Sequence, residues 1–231
     1  METGLVQTME SRGRGRPIGS GHAEYLLVVY PHGDLQDRLM EEQQQFSSDY
    51  GLDHRLDQGQ RSANEIFGRN RPHITLATFQ AGEEAEDTLI RWIQRICQQH
   101  RSFQLALNNY SGIPPHTPKP PEAAQHIPGA IYLRVQDPEP LRDLMQQLGA
   151  IDEFIRSSGR PPVRHPFQTN GGGRLYLSIA GGLTAQVYNK AMPDYSRKTF
   201  HGIFQVDELV LLRRKHPFDP CKTVNVFRLK S

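Results

Sequence analysis

Arg71-Pro72-His73-Ile74-Thr75-Leu76-Ala77-Thr78-Phe79 is the stretch on which the chain turns. Successive side chains of a β-strand point to opposite faces. Read as a strand, it places Ile74, Leu76 and Thr78 on one face and His73, Thr75, Ala77 and Phe79 on the other. His73 and Thr75 then stand side by side on one surface. An imidazole beside a hydroxyl can hold a phosphate oxygen and move a proton. A lone His-x-Thr also occurs by chance on half-buried strands, so its meaning rests on the flanking sequence.

Upstream, Tyr25 to Tyr30 is a continuous apolar run, predicted as a central strand. Pro31-His32-Gly33 breaks it. Asp34 is expected to cap a helix through Asp49, with Leu35, Leu39 and Phe46 on its apolar side. Residues 51–68 read as a polar loop. Downstream, Gly82 ends the His73 strand, and Glu83-Glu84-Ala85-Glu86-Asp87 suits a helix N-terminus. Leu89, Ile93, Ile96 and Cys97 recur at helical spacing, with Trp92 beside the stripe. Phe103 to Tyr110 reads as a third strand. Ser111 to Gly129 holds six prolines and reads as a loop.

The same order then recurs. Ala130 to Val135 is predicted as a strand, and Asp137-Pro138 as a helix start. Leu141, Leu144, Met145, Leu148, Ile151 and Ile155 form a helical stripe. Arg160-Pro161-Pro162 closes it, and Asn170-Gly171-Gly172-Gly173 is rich in turn residues. Arg174 to Ala180 alternates like the first motif: Leu175, Leu177 and Ile179 on one face, Tyr176, Ser178 and Ala180 on the other. Thr184 is expected to cap a helix to Met192. Two strands, Ile203 to Arg213 and Thr223 to Leu229, end the chain.

Each half thus reads strand, helix, alternating strand, helix, strand, with similar spacings, which points to duplication. The expected fold is α+β: two pseudo-twofold-related lobes, each a mostly antiparallel sheet with outer helices, around a central cleft. Lobe one covers about 22–110, lobe two about 130–231, with the Pro-rich loop 111–129 between them. His73 and Thr75 would look across at Tyr176 and Ser178.

The chain has 231 residues, 36% hydrophobic and 23% charged, as in a soluble globular protein. A net charge of only +2 exerts no general pull on nucleic acid, so any basic site is local. Two cysteines, Cys97 and Cys221, imply neither a disulfide framework nor a zinc cluster, and a reducing cytoplasm is expected. No apolar run approaches membrane-spanning length. Residues 1–21 read as a flexible tail rich in Gly and Arg. Its Arg14-Gly15-Arg16-Pro17 resembles an AT-hook core, but Glu2 and Glu10 offset most of the tail's positive charge, which argues against DNA binding.

Pro72-His73-Ile74-Thr75-Leu76, the two-lobed order and Phe204-Gln205-Val206-Asp207-Glu208-Leu209-Val210-Leu211-Leu212-Arg213-Arg214 resemble the 2H phosphoesterase superfamily. The nearest branch is the 2′-5′ RNA ligase and cyclic phosphodiesterase group, and the resemblance spans about Tyr25 to Leu229. Such proteins carry one His-x-Thr/Ser motif per lobe, and the two motifs make one site. The resemblance assigns the first motif to His73 and Thr75. It aligns the second with Tyr176 and Ser178, where the hydroxyl is kept and tyrosine replaces histidine.

Opening a 2′,3′-cyclic phosphate needs a base for water and an acid for the leaving ribose oxygen, while hydroxyls hold the non-bridging oxygens. Two histidines of opposite protonation state supply both, and neither metal nor cofactor is required. Tyrosine, with an ordinary pKa of about 10, can donate a hydrogen bond but is a poor base at neutral pH. The expected partner is a ribonucleotide or an RNA end bearing a cyclic phosphate. Arg71 and Arg174 flank the two motifs as candidate phosphate ligands, against the plainer reading of solvated strand ends. Two functions stand: a metal-independent phosphoesterase acting on a 2′,3′-cyclic phosphate or 2′-5′-linked ribonucleotides and impaired by Tyr176, or a catalytically inactive protein that keeps the cleft and binds nucleotides or RNA ends.

Overall fold

The computed structural model describes residues 22–50, 71–116, 128–149, 175–216 and 219–231. The tail, the loop over residues 51–68, most of the Pro-rich loop, Ile151, Ile155, Arg160 to Pro162, Asn170 to Gly173 and Arg174 lie outside the described residues. In chain order the elements are β1 (His22–Val29), α1 (Asp34–Asp49), β2 (Ile74–Gly82), a 3-10 turn (Glu83–Ala85), α2 (Glu86–Cys97), β3 (Phe103–Ile113), β4 (Gly129–Gln136), α3 (Glu139–Gly149), β5 (Tyr176–Leu183), α4 (Ala185–Tyr195), β6 (His201–Val206), β7 (Glu208–Arg214) and β8 (Lys222–Arg228).

The fold is α+β, as expected. The strands form one sheet in the order β6-β3-β4-β5-β2-β1-β7-β8. Every pairing between these strands is antiparallel; an isolated parallel bridge joins Arg101 to Lys230. Strands β5 and β2, which carry the two motifs, lie at its centre. On either side the chain exchanges strands: β3 pairs with β4 and β6, while β7 pairs with β1 and β8. One face of the sheet buries Leu27, Ile74, Leu76, Leu133, Leu177 and Leu211 against the helices in a single core. Leu89, Ile93, Ile96 and Cys97 of α2 join it, with Trp92 packed at its edge, as their spacing predicts. No helix among the described residues is long and apolar enough to cross a membrane.

The similarity of the two halves extends to a local irregularity. Leu27 pairs with Ala77 but Val28 with Thr75, so Leu76 is an extra residue on β2. Ile131 pairs with Ala180 but Tyr132 with Ser178, so Ile179 is an extra residue on β5. Each motif is therefore followed by a bulge at the same offset. A bulge shifts the phase of the strand beyond it. That corrects the strict alternation expected of residues 71–79: Ala77 and Phe79 leave the His73 face and are buried, and Thr78 is only half-buried. The Phe79 ring stacks on that of its cross-strand partner Tyr25, at 5.5 Å between centroids.

Several boundaries also move. Gly33, with φ of 61°, is the N-cap of α1, and Asp34 is its first helical residue; the left-handed backbone there suits glycine. Pro138 accepts from the Arg142 amide at 2.9 Å, so the proline caps α3 and Asp137 precedes it at φ 49°. Thr184 caps α4 as expected, accepting from Val187 N at 3.4 Å, but the helix continues through Pro193 to Tyr195. The strand expected from Ile203 to Arg213 is two strands that separate at Asp207. Ser111 to Ile113 extend β3, and Gly129 opens β4.

Tyr25, buried at the start of β1, donates to Glu86 Oε2 at 3.1 Å, and Arg213 Nη1 meets the same oxygen at 2.8 Å. This group ties α2 and β7 to β1. Near the sheet centre, Ile74 and Leu177 are both fully buried. Truncating Leu177 to alanine should cost about 2–5 kcal/mol, since the transfer and cavity terms add at a closely packed site. A urea titration at pH 7 measures it; a loss below about 1 kcal/mol would mean that the centre of the sheet collapses to fill the space.

Candidate active site

The motif strands share one recorded pairing, Ile74 opposite Leu177. In an antiparallel pair the flanking residues then oppose one another: His73 lies beside Ser178, and Thr75 beside Tyr176. Directly opposed Cβ atoms stand about 4.5–5.5 Å apart. Ile74 and Leu177 point to the helices, so all four candidate side chains lie on the opposite face, each half-buried. The sequence reading has the motifs looking across at each other; the pairing makes them neighbours within one sheet.

His73 sits just before β2, with Nδ1 2.8 Å from the carbonyl oxygen of Arg71. A carbonyl only accepts, so Nδ1 carries the hydrogen. In the neutral ring the lone pair is then on Nε2. Burial pulls the pKa of His73 below the usual imidazole value, and the bond to the Arg71 carbonyl opposes that only in part. The ring is thus neutral at pH 7, with Nε2 available to accept a proton.

Tyr30 contributes an aromatic wall that sequence reasoning missed. Its ring meets His73 edge-on at 5.9 Å. The Arg71 guanidinium lies over the same ring, 4.7 Å from its centroid, and donates to Gln36 Oε1 of α1. Arg71 is therefore exposed at the rim, held by stacking and one hydrogen bond. In the sequence Tyr30 is merely the last residue of an apolar run. Its place depends on the pairing of β1 with β2, where Val29 opposes Ile74.

On β5 the Tyr176 ring packs on Tyr132 of β4, with centroids 4.7 Å apart and planes tilted by 38°. Burial, then the neighbouring Tyr132, pushes the Tyr176 phenol above its usual pKa, so it stays protonated as a donor. Tyr132 is the second residue that the sequence did not flag; it opposes Ser178 directly. The Ser178 carbonyl accepts from Gln43 Nε2 of α1 at 3.0 Å, which anchors β5 where the bulge begins. The Thr75 and Ser178 hydroxyls have no hydrogen-bond partner among the described residues. Arg174 lies outside the described residues, so its place relative to Tyr176 is not part of this geometry.

The chain matches the family model of the 2′-5′ RNA ligase superfamily over residues 51–217. Among solved structures it is similar to TT0787 of Thermus thermophilus, at 15% identity and a TM-score of 0.50, covering 90% of this chain and 98% of that one. It is also similar to E. coli LigT complexed with 3′-AMP, at 15% identity and a TM-score of 0.51, covering 91% of this chain and 99% of LigT. LigT in its apo form gives 16% identity and the same TM-score of 0.51. These likenesses are of fold. No curated protein sequence matches the chain. The family model spans well over half of the residues, so the chain belongs to the 2′-5′ RNA ligase superfamily.

Proposed function

We propose that this member of the 2′-5′ RNA ligase superfamily is a metal-independent phosphoesterase that opens 2′,3′-cyclic phosphates or cleaves 2′-5′-linked ribonucleotides, slowly. The observation that carries this is the Nδ1–H bond from His73 to the Arg71 carbonyl, which leaves Nε2 as a base beside two hydroxyls that have no partner among the described residues.

In the reaction we assign, His73 Nε2 takes a proton from water as the water oxygen bonds to phosphorus. Thr75 and Ser178 donate to the non-bridging oxygens, where negative charge grows. The bond from phosphorus to one ribose oxygen breaks. The Tyr176 hydroxyl hydrogen-bonds to that oxygen, which takes its proton from solvent, and His73 returns its own proton to solvent. Arg71 is proposed as an anion ligand at the rim. Tyr176 makes the reaction slow, because a phenol raised above its usual pKa is a weak acid. LigT, solved with 3′-AMP, holds a ribonucleotide phosphorylated on a ribose oxygen, the class of product proposed here. Both cysteines are free thiols, which fits the cytoplasmic location we propose.

The replacement of histidine by Tyr176 favours the second reading, a protein that binds nucleotides or RNA ends without turnover. Incubation with 2′,3′-cyclic AMP in excess EDTA separates the two. Conversion to a monophosphate at an undiminished rate supports the phosphoesterase. Tight binding with no product over a day supports the binder. A rate abolished by EDTA and restored by a divalent ion rules out the metal-independent mechanism.

A further inference from the structure

The face of the sheet that carries His73 differs in chemistry on its two sides. Beyond Thr75, Val28 and then Val210 continue the line of directly opposed residues. Both are buried in a small apolar cluster with Leu212, against which Leu26, Tyr30 and Cys221 pack. Beyond Tyr176 the line continues through Arg134, Asn108 and His201. Arg134 and His201 are exposed and Asn108 is half-buried, whereas Leu133 and Leu107, next to them in sequence, point into the core. No acidic group pairs with Arg134 among the described residues.

We propose that this polar line is the track of an RNA strand: the substrate is an oligoribonucleotide whose terminal phosphate sits between the motifs, and Arg134 holds the next phosphodiester. The inference rests on the phosphoesterase reading of the site and extends it. Neighbouring strands are about 4.8 Å apart, so Arg134 stands one strand from Tyr176 and two from Thr75. From that position a guanidinium is within reach of a phosphodiester next to the reacting one. A guanidinium offers a fork of donors to phosphate oxygens, and Asn108 and His201 extend the same line with further polar groups. On the other side Val28 and Val210 present only methyl groups along this line, and the nearest cation, Arg71, is already stacked on Tyr30 and bonded to Gln36. The strand therefore leaves the site over β4, β3 and β6. Recognition on this track is through backbone phosphates, which makes it indifferent to base sequence.

The test compares the full chain with Arg134→Ala and Arg134→Lys on two substrates, 2′,3′-cyclic AMP and a hexauridylate ending in a 2′,3′-cyclic phosphate. Losing a charge-assisted bond should raise KM for the hexamer about ten- to hundred-fold in Arg134→Ala, with kcat unchanged. Both parameters for cyclic AMP should stay at parent values. The slope of log affinity against log salt for the hexamer should flatten by about 0.7, one single-strand phosphate contact, and Arg134→Lys should restore it. An equal loss on both substrates overturns the proposal, because it puts Arg134 on the reacting phosphate. No change on either substrate overturns it too. If the parent turns over neither substrate, the phosphoesterase reading fails separately. Anisotropy with a labelled hexamer bearing a 3′-phosphate then decides the track: weaker binding in Arg134→Ala alone supports it, and equal binding in both variants overturns it.

Discussion

Replacing His73 with alanine is expected to lower hydrolysis of a 2′,3′-cyclic nucleotide by about a hundred- to ten-thousand-fold, the usual contribution of a positioned base. The reason is local. Position 73 is the only one of the four motif positions that offers a nitrogen lone pair, and the Arg71 carbonyl orients it by taking the Nδ1 hydrogen. Thr75, Ser178 and a protonated Tyr176 remain as donors in the variant, so affinity for the phosphate should fall far less than turnover. His73→Asn is the companion. Its amide N–H can still donate to the Arg71 carbonyl but has no basic nitrogen, so it should be as inactive as alanine. Activity in His73→Asn near the parent level would show that the ring only fills space.

The same geometry sets a pH dependence. A base works in its neutral form, and burial moves the pKa of His73 below the ordinary 6.5. Lowering the pH should therefore reduce kcat/KM with a midpoint below 6.5. Tyr176, raised above 10, adds no ionisation between pH 7 and 9, so the profile should show no further limb across that range. A second descending limb inside it would mean that another group donates the proton.

The second large effect is a gain. Tyr176 stands next to Thr75, at the place equivalent to His73 in the repeated half. A histidine there titrates near neutrality and can give a proton to the leaving ribose oxygen. Tyr176→His should raise turnover by about a hundred-fold or more, with nucleotide affinity little changed, since the hydroxyl already offers a donor. Tyr176→Phe keeps the packing on Tyr132 and loses only that donor, so it should cost about ten-fold at most. If Tyr176→Phe instead falls as far as His73→Ala while Tyr176→His gains nothing, tyrosine is itself the acid. Combining His73→Ala with Tyr176→His should remain inactive, because the base is still missing.

Local pattern was enough for much of this protein. Apolar runs and helical stripes identify β1, β2, α1 and α2 from the sequence. The matching order of the halves implies an α+β fold with two equivalent motif strands. His73-x-Thr75 and Tyr176-x-Ser178 are visible as pairs because residues two apart on a strand share a face whatever surrounds them. Tertiary structure decided what depends on register. The bulges at Leu76 and Ile179 turn Ala77 and Phe79 into the core, and no pattern within one strand marks an extra residue opposite a partner not yet known. The pairing of Ile74 with Leu177 makes the motifs neighbours. The aromatic walls of Tyr30 and Tyr132 and the place of Arg134 beside Tyr176 also arise between segments far apart in the chain, whereas the tautomer of His73 is set by a carbonyl only two residues back, through a backbone turn that no side-chain pattern marks. A residue's own strand determines the face it occupies; only the packing of strands against one another determines which residues share that face with it.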